Sequence, residues 1–437
     1  MKKKTLSALC LAAILVTLLG GCGGNDPSDV DSRSDSQTTS TSTPWTAGAG
    51  CVNLMQSVTA GEVPKATVPT EEENVKIMDF SLRLFQNCLQ DGENALVSPL
   101  SVLSALGMTA NGAAGNTLAQ MEETFGLTTE DMNRYLYAYT RNLPQGEKYK
   151  LSPANAIWFR DREDLVFEKD FLQANADWYG AGLYKAPFDD STLKEINNWV
   201  AYNTDGMIRE ILDEIPEDAV MYLINALVFD AEWETIYKEY QIYSGFFTTS
   251  EGREQEAEMM HSEEFCYLED EYATGFVKYF ADRSYAFAAL LPNEGIHLDE
   301  YAASLNGEHL KELIANAQRV TVYATIPKFQ CEYNIEMSEI LQIMGMTDAF
   351  ESAIADFSKM GHSARGNIFI NRILHKTYIS VDEKGTIAGA STVVEMIEEG
   401  APANTKTVYL DHPFLYMLID CEQNLPIFIG TLNHLEQ

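Results

Sequence analysis

A chain of 437 residues, 46% hydrophobic and 22% charged, carries enough apolar surface for one large domain or two to three smaller ones. The 65 Asp and Glu outnumber the 30 Lys and Arg and leave a net charge of −35. A surface this acidic repels phosphate backbones and anionic lipid heads, which argues against nucleic acid as a partner.

The N-terminus reads as a leader. Lys2, Lys3 and Lys4 form a positive stretch and Leu6 to Leu19 an apolar one, shorter than the ~20 residues a membrane-spanning helix needs. It ends in Leu19-Gly20-Gly21-Cys22, which resembles a bacterial lipobox. The resemblance implies a lipoprotein signal peptide over 1–21, cleavage before Cys22, and acylation that holds the protein on a membrane. From Gly23 to about Gly50 the chain is rich in Gly, Ser, Thr and Asp and poor in large apolar residues, and a transition stretch follows to about Pro69. The expectation is a lipidated Cys and flexible tether over 22–69 and a globular domain over 70–437.

Thr70 with Glu73 three residues on forms a capping box, and Ile77, Phe80, Leu84, Phe85 and Cys88 recur at helical spacing. This predicts a helix over 71–90. Further helices are expected near 100–112, 115–125, 168–179 and 192–212. Val320, Val322, Ala324 and Ile326 alternate with polar neighbours as in a strand. The apolar runs 219–231, 284–291, 414–420 and 426–432 read as buried strands. Helices come mostly early and strands late, without βαβ alternation, so the expected class is α+β.

Enzyme signatures are missing: no G-x-S-x-G elbow, H-E-x-x-H, P-loop or dinucleotide fingerprint occurs, and the seven His are scattered. No catalytic residue, metal site or cofactor is therefore expected. Beyond Cys10 and Cys22, the chain has Cys51, Cys88, Cys266, Cys331 and Cys421 without any C-x-x-C pair. A disulfide among them is open; Cys88 and Cys331 are read as core.

The stretch 383–400 is unusual. In strand register Thr386, Ala388, Ala390, Thr392, Val394 and Met396 share one face, small and then apolar, and uncharged throughout. That suits a strand slipped between two others above a core, where charge or bulk would be costly.

Val381-Asp382-Glu383-Lys384-Gly385-Thr386, followed by small residues, closely resembles the hinge of a serpin reactive loop. Other stretches of the family's pattern recur in order over 70–434. They include Asn94-Ala95-Leu96-Val97-Ser98-Pro99-Leu100-Ser101, Asn155-Ala156-Ile157-Trp158, Leu223-Ile224-Asn225-Ala226 with Trp233 downstream, and Asp411-His412-Pro413-Phe414. The resemblance implies a large central sheet with further sheets, about nine helices and an exposed reactive centre loop. It also implies an inhibitor that acts as a suicide substrate for a serine (or cysteine) protease, and a monomer; a non-inhibitory binding protein is the alternative.

Carried onto this chain, the family pattern puts a hinge at Glu383, Gly385, Thr386, Ala388, Gly389, Ala390, Ser391 and Thr392. Lys328 is the implied ion-pair partner of Glu383. Ser98, Ser101, Asn225 and His375 match a polar shutter, and Trp233 matches the breach where insertion starts. The scissile bond is expected at Glu399-Gly400, with Ala401-Pro402 as alternative. Two departures stand out: Ile387 replaces a common Glu, and Asp230-Ala231-Glu232 replaces a Gly-containing basic stretch.

Overall fold

A computed structural model describes residues 45–63, 68–144, 146, 148–217, 219–386 and 404–436. They belong to a compact unit that begins at Trp45.

The capping box at Thr70 forms, with Thr70 Oγ1 accepting from Glu73 N–H and Glu73 returning a carboxylate to Thr70 N–H. It starts helix α1, Glu71–Cys88. Pro99, whose fixed φ suits a first turn, opens α2, Pro99–Ala110, in which every residue is buried. The helix expected over 192–212 covers Asp190–Asn203 instead. Asp205 and Gly206 take left-handed φ values of 52° and 78°, and Gly206 N–H bonds back to Ala201 O, so the chain turns where a longer helix was expected. Helix Thr129–Asn142 was not anticipated. Its buried side mixes Met132, Leu136 and Ala138 with Asn133, Tyr135 and Tyr139, which weakens a Leu/Ile-style periodicity.

Six strands build the main sheet: β1 Val52–Asn53, β2 Tyr149–Arg160, β3 Gly182–Ala186, β4 Met221–Ala231, β5 Phe329–Glu336 and β6 Arg372–Val381. Their order is β1-β3-β2-β4-β6-β5. A second six-stranded sheet contains Tyr285–Pro292, Phe414–Asp420 and Leu425–Leu432, and a four-stranded sheet has Thr405–Tyr409 at one edge. Alternation along β4 divides the core. Leu223 and Leu227 pack with the helices α1 and α2, whereas Tyr222, Ile224 and Ala226 pack with Ile196 and Trp199 of the helix Asp190–Asn203. The architecture is α+β, as the order of elements suggested.

The expectation of a tether up to residue 69 is corrected at its end. β1 pairs antiparallel with β3, Val52 facing Lys185 and Asn53 facing Tyr184. Trp45 stands edge-on to Tyr184 and Trp158, at 5.3 and 6.4 Å between ring centroids. Composition missed this because a free sheet edge offers unpaired backbone groups, so a two-residue strand and one aromatic anchor are enough to dock a polar stretch. Cys22 and the rest of the leader and tether lie outside the described residues.

Trp45→Ala should lower stability to urea by about 2 kcal/mol, since it removes a partly buried aromatic anchor. Unfolding followed by far-UV circular dichroism measures this, and an unchanged midpoint would mean that 45–63 rests on the domain without supporting it.

Candidate functional site

The strands β4 and β6 lie side by side and parallel, in register from Tyr222 with Arg372 to Val228 with Tyr378. Residues Phe229 to Ala231 and Ile379 to Val381 lie above that register, so the two strands are zipped below and unpaired with each other above. This seam organises the sequence-predicted residues into two groups.

The first group lies below the sheet. Asn155, Asn225 and His375 are register neighbours on the three adjacent strands β2, β4 and β6. His375 is completely buried, and its Nε2 accepts the Ser98 N–H at 3.1 Å. Its Nδ1 therefore carries the proton and donates to Asn225 Oδ1. The Asn225 amide donates to Ser101 Oγ at 2.6 Å and to Asn155 Oδ1 at 2.5 Å. Ser98, Ser101, Asn225 and His375 are thus brought together, but Ser98 contributes its backbone. Its hydroxyl is buried without a partner among the described residues.

Asn155 joins the group although no role was read from its motif; the available signal was a polar Asn between Ala154 and Ala156 in the apolar half of the strand. Thr377 Oγ1 also ties β6 to the carbonyl of Leu96, at 2.7 Å. Burial pushes the His375 imidazole down to about 3, so the ring is neutral at ordinary pH.

The second group sits at the top of the seam. Asp382 Oδ1 accepts from Lys384 N–H and Gly385 N–H, and Asp382 N–H donates to Gly385 O, so the chain leaving β6 reverses in a tight turn. The reversal brings Gly385 and Thr386 beside the end of β4. Thr386 N–H donates to Ala231 O at 2.8 Å, and Ala231 N–H donates to Thr386 Oγ1 at 3.1 Å. Thr386 is fully buried. A Cβ on Gly385 would fall 1.8 Å from Ala231 O, so only glycine fits there.

Trp233 closes over this turn. Its Nε1 donates to Asp382 O at 2.9 Å and its backbone N–H to Lys384 O at 2.8 Å, while Tyr237 N–H donates to Glu383 O at 2.8 Å. Lys328 Nζ lies 2.9 Å from Glu383 and 3.1 Å from Glu258, a second acid that the sequence did not reveal. The hydrogen bond from Lys328 holds the Glu383 carboxyl below its ordinary range. These side chains are partly open to solvent, and such a pair contributes under about 1 kcal/mol.

Ala388, Gly389, Ala390, Ser391, Thr392, Glu399, Gly400, Ala401 and Pro402 lie outside the described residues. No cluster of His, Cys, Asp or Glu suited to a metal ion occurs among the described residues. The five cysteines from Cys51 onward are free, with Cys88 and Cys331 buried.

Comparison with known proteins gives the family. Residues 75–435 match the family model described as "Serpin (serine protease inhibitor)", and the chain belongs to the serpin family. A crystal structure of the thermophilic serpin tengpin in the native state is 49% identical, with a TM-score of 0.85 over 88% of this chain and all of that one. Tengpin in the latent state is 46% identical, with a TM-score of 0.75 over 85% of this chain and 99% of that one. Among curated relatives, intracellular coagulation inhibitor 2 of Tachypleus tridentatus is 28% identical, over 85% of this chain and 93% of its own length.

His375 makes the polar group acid-sensitive. The unfolded chain binds a proton near pH 6.5 while the native ring stays neutral down to about 3. Unfolding therefore takes up a proton in that window, and native stability falls as pH drops from about 6 toward 4, by about 1.4 kcal/mol per unit. Urea unfolding from pH 7 to pH 4, compared with His375→Gln, should show this component only in the unaltered protein; equal slopes would contradict it.

Proposed function

We propose that this serpin inhibits a protease as a suicide substrate. The target's nucleophilic Ser Oγ attacks the carbonyl carbon of Glu399, or of Ala401 in the alternative register. The peptide bond to the following nitrogen breaks, the amine stays with the C-terminal fragment, and the protease is left as an ester on the loop. The freed segment then enters the seam between β4 and β6 as a new strand, carrying the acyl-enzyme with it before water hydrolyses the ester. Serpin loop insertion is a recognised case of strand addition driven by stored strain.

One observation carries this reading: Thr386, the first inward-facing residue of the loop, is already buried beside Ala231 at the head of the seam. The next residues on its face are Ala388, Ala390 and Thr392, small enough to follow it inside. In this reading Asn225 and His375 act as the shutter that must part, Trp233 marks the entry point, and Lys328 with Glu383 anchors the hinge. If the target reads Glu399, glutamate-selective serine proteases fit, because their pocket must neutralise a carboxylate; if it reads Ala401, elastase-like or subtilisin-like enzymes fit. The leader and Cys22 place the inhibitor, by the same proposal, on the outside of a bacterial cell, held by lipid and acting as a monomer.

Incubation with a panel of these proteases should give an SDS-stable complex, and mass spectrometry of the released peptide should locate the cut within 396–402. Thr386→Arg puts a charge where the fold allows none and should turn the protein into an ordinary substrate, cleaved without complex. Loop nicking should raise the thermal midpoint of the unaltered protein by tens of degrees. Cleavage without complex and without stabilisation would instead favour a non-inhibitory binding protein.

A further inference from the structure

Under the turn at the head of the seam lies a buried charge that the mechanism above does not use. Lys278, on the strand Ala273–Tyr279, is 2% exposed. Its ammonium meets Glu264 at 2.8 Å and the carbonyl of Thr235 at 3.4 Å. It also stands over two aromatic faces, Tyr237 at 4.5 Å and Trp233 at 5.3 Å from the ring centroids. An ammonium out of water needs compensation on every side, and here a carboxylate, a carbonyl and two π faces supply it. Glu264 is held in turn by Ser262 Oγ at 2.7 Å, and the same hydroxyl lies 3.3 Å from Tyr237 Oη.

Two of these partners, Trp233 and Tyr237, grip the loop root. Trp233 and Tyr237 donate the three hydrogen bonds to the carbonyls of Asp382, Glu383 and Lys384. The stretch 235–238 between the bridge at Trp233 and the short helix Glu239–Gln241 has no regular secondary structure. Its pose therefore depends on side-chain contacts. Lys278 and Glu264 stand on two regular strands of different sheets and supply a fixed frame.

We propose that Lys278 is a positioning residue. Its ammonium locks the Trp233 indole and the 235–237 backbone in the pose that keeps Gly385 and Thr386 docked beside β4, and so sets the fraction of cleaved molecules that trap rather than turn over. This rests on the inhibitory reading. Without the lock the root leaves the sheet more readily, the first strand pairs of insertion are lost, and hydrolysis of the ester gains time on insertion.

The test compares the full chain with Lys278→Arg, with Lys278→Met, and with the double variant Lys278→Met/Glu264→Gln. The double variant avoids a buried unpaired carboxylate where the single one fails to fold. Three quantities are read: moles of inhibitor consumed per mole of protease trapped, amide exchange at Trp233, Tyr237 and Thr386, and the Trp233 emission, taken as the difference from a Trp233→Phe counterpart of each protein. The double variant should need at least threefold more inhibitor, exchange those amides about tenfold faster and shift the Trp233 emission to the red. Lys278→Arg, which keeps a cation over both rings, should stay within twofold of the unaltered protein.

An unchanged consumption ratio, or a raised ratio with unaltered Trp233 emission and exchange, would overturn the proposal and leave Lys278 a general structural residue. If the unaltered protein traps no protease, the inhibitory reading fails on its own. Emission and exchange then still decide whether Lys278 holds the turn.

Discussion

The structure depends on the parallel pairing of β4 with β6. A parallel sheet pair can be joined only by a long crossover, and here residues 232–371 separate the two strands. Nothing covalent and short holds the seam closed. What holds it is seven register pairs and one side-chain bond across the middle, between Asn225 and His375. Because that bond lies in a water-free interior, it is worth more than on a surface and costs more when broken.

The head of the seam follows different physics. Above Val228 and Tyr378 the strands lack pairing to each other, and the returning chain meets the end of β4, where Thr386 bonds Ala231. The root of the loop thus lies against the head of β4, through Thr386 with Ala231 and Gly385 with Glu232. Its place is fixed by three demands that act together: an Asx turn at Asp382, a glycine at 385 where no side chain fits against Ala231, and the indole of Trp233 over the turn. Two cations of this region have different roles. Lys328 is shared by Glu258 and Glu383 near the solvent, while Lys278 is committed to the interior.

The added strand at the opposite edge shows how little sequence is needed where the fold supplies the geometry. β1 has two residues, far below what could be stable alone. It forms because β3 would otherwise be an open edge and because Trp45 finds the aromatic surface made by Trp158 and Tyr184. Neither side of that contact could be read from the composition of 45–63.

Much of the fold was legible by local physics. The capping box at Thr70, the apolar period through α1, and the buried runs at 219–231 and 426–432 each carry their own spacing and sit as strands or helices where expected. The face shared by Thr386, Ala388 and Ala390 was equally readable, since a period of two is a property of the chain alone. Asn225 and His375 were grouped only through the family resemblance and Asn155 was missed: the partners stand 70 and 150 residues apart, and no local pattern names a partner that distant. Local spacing determined the elements and the chemical character of the loop. Which buried polar and charged groups meet was settled only when three sheets packed, because a buried hydrogen-bonding group takes its partner from whatever the packing brings within about 3 Å.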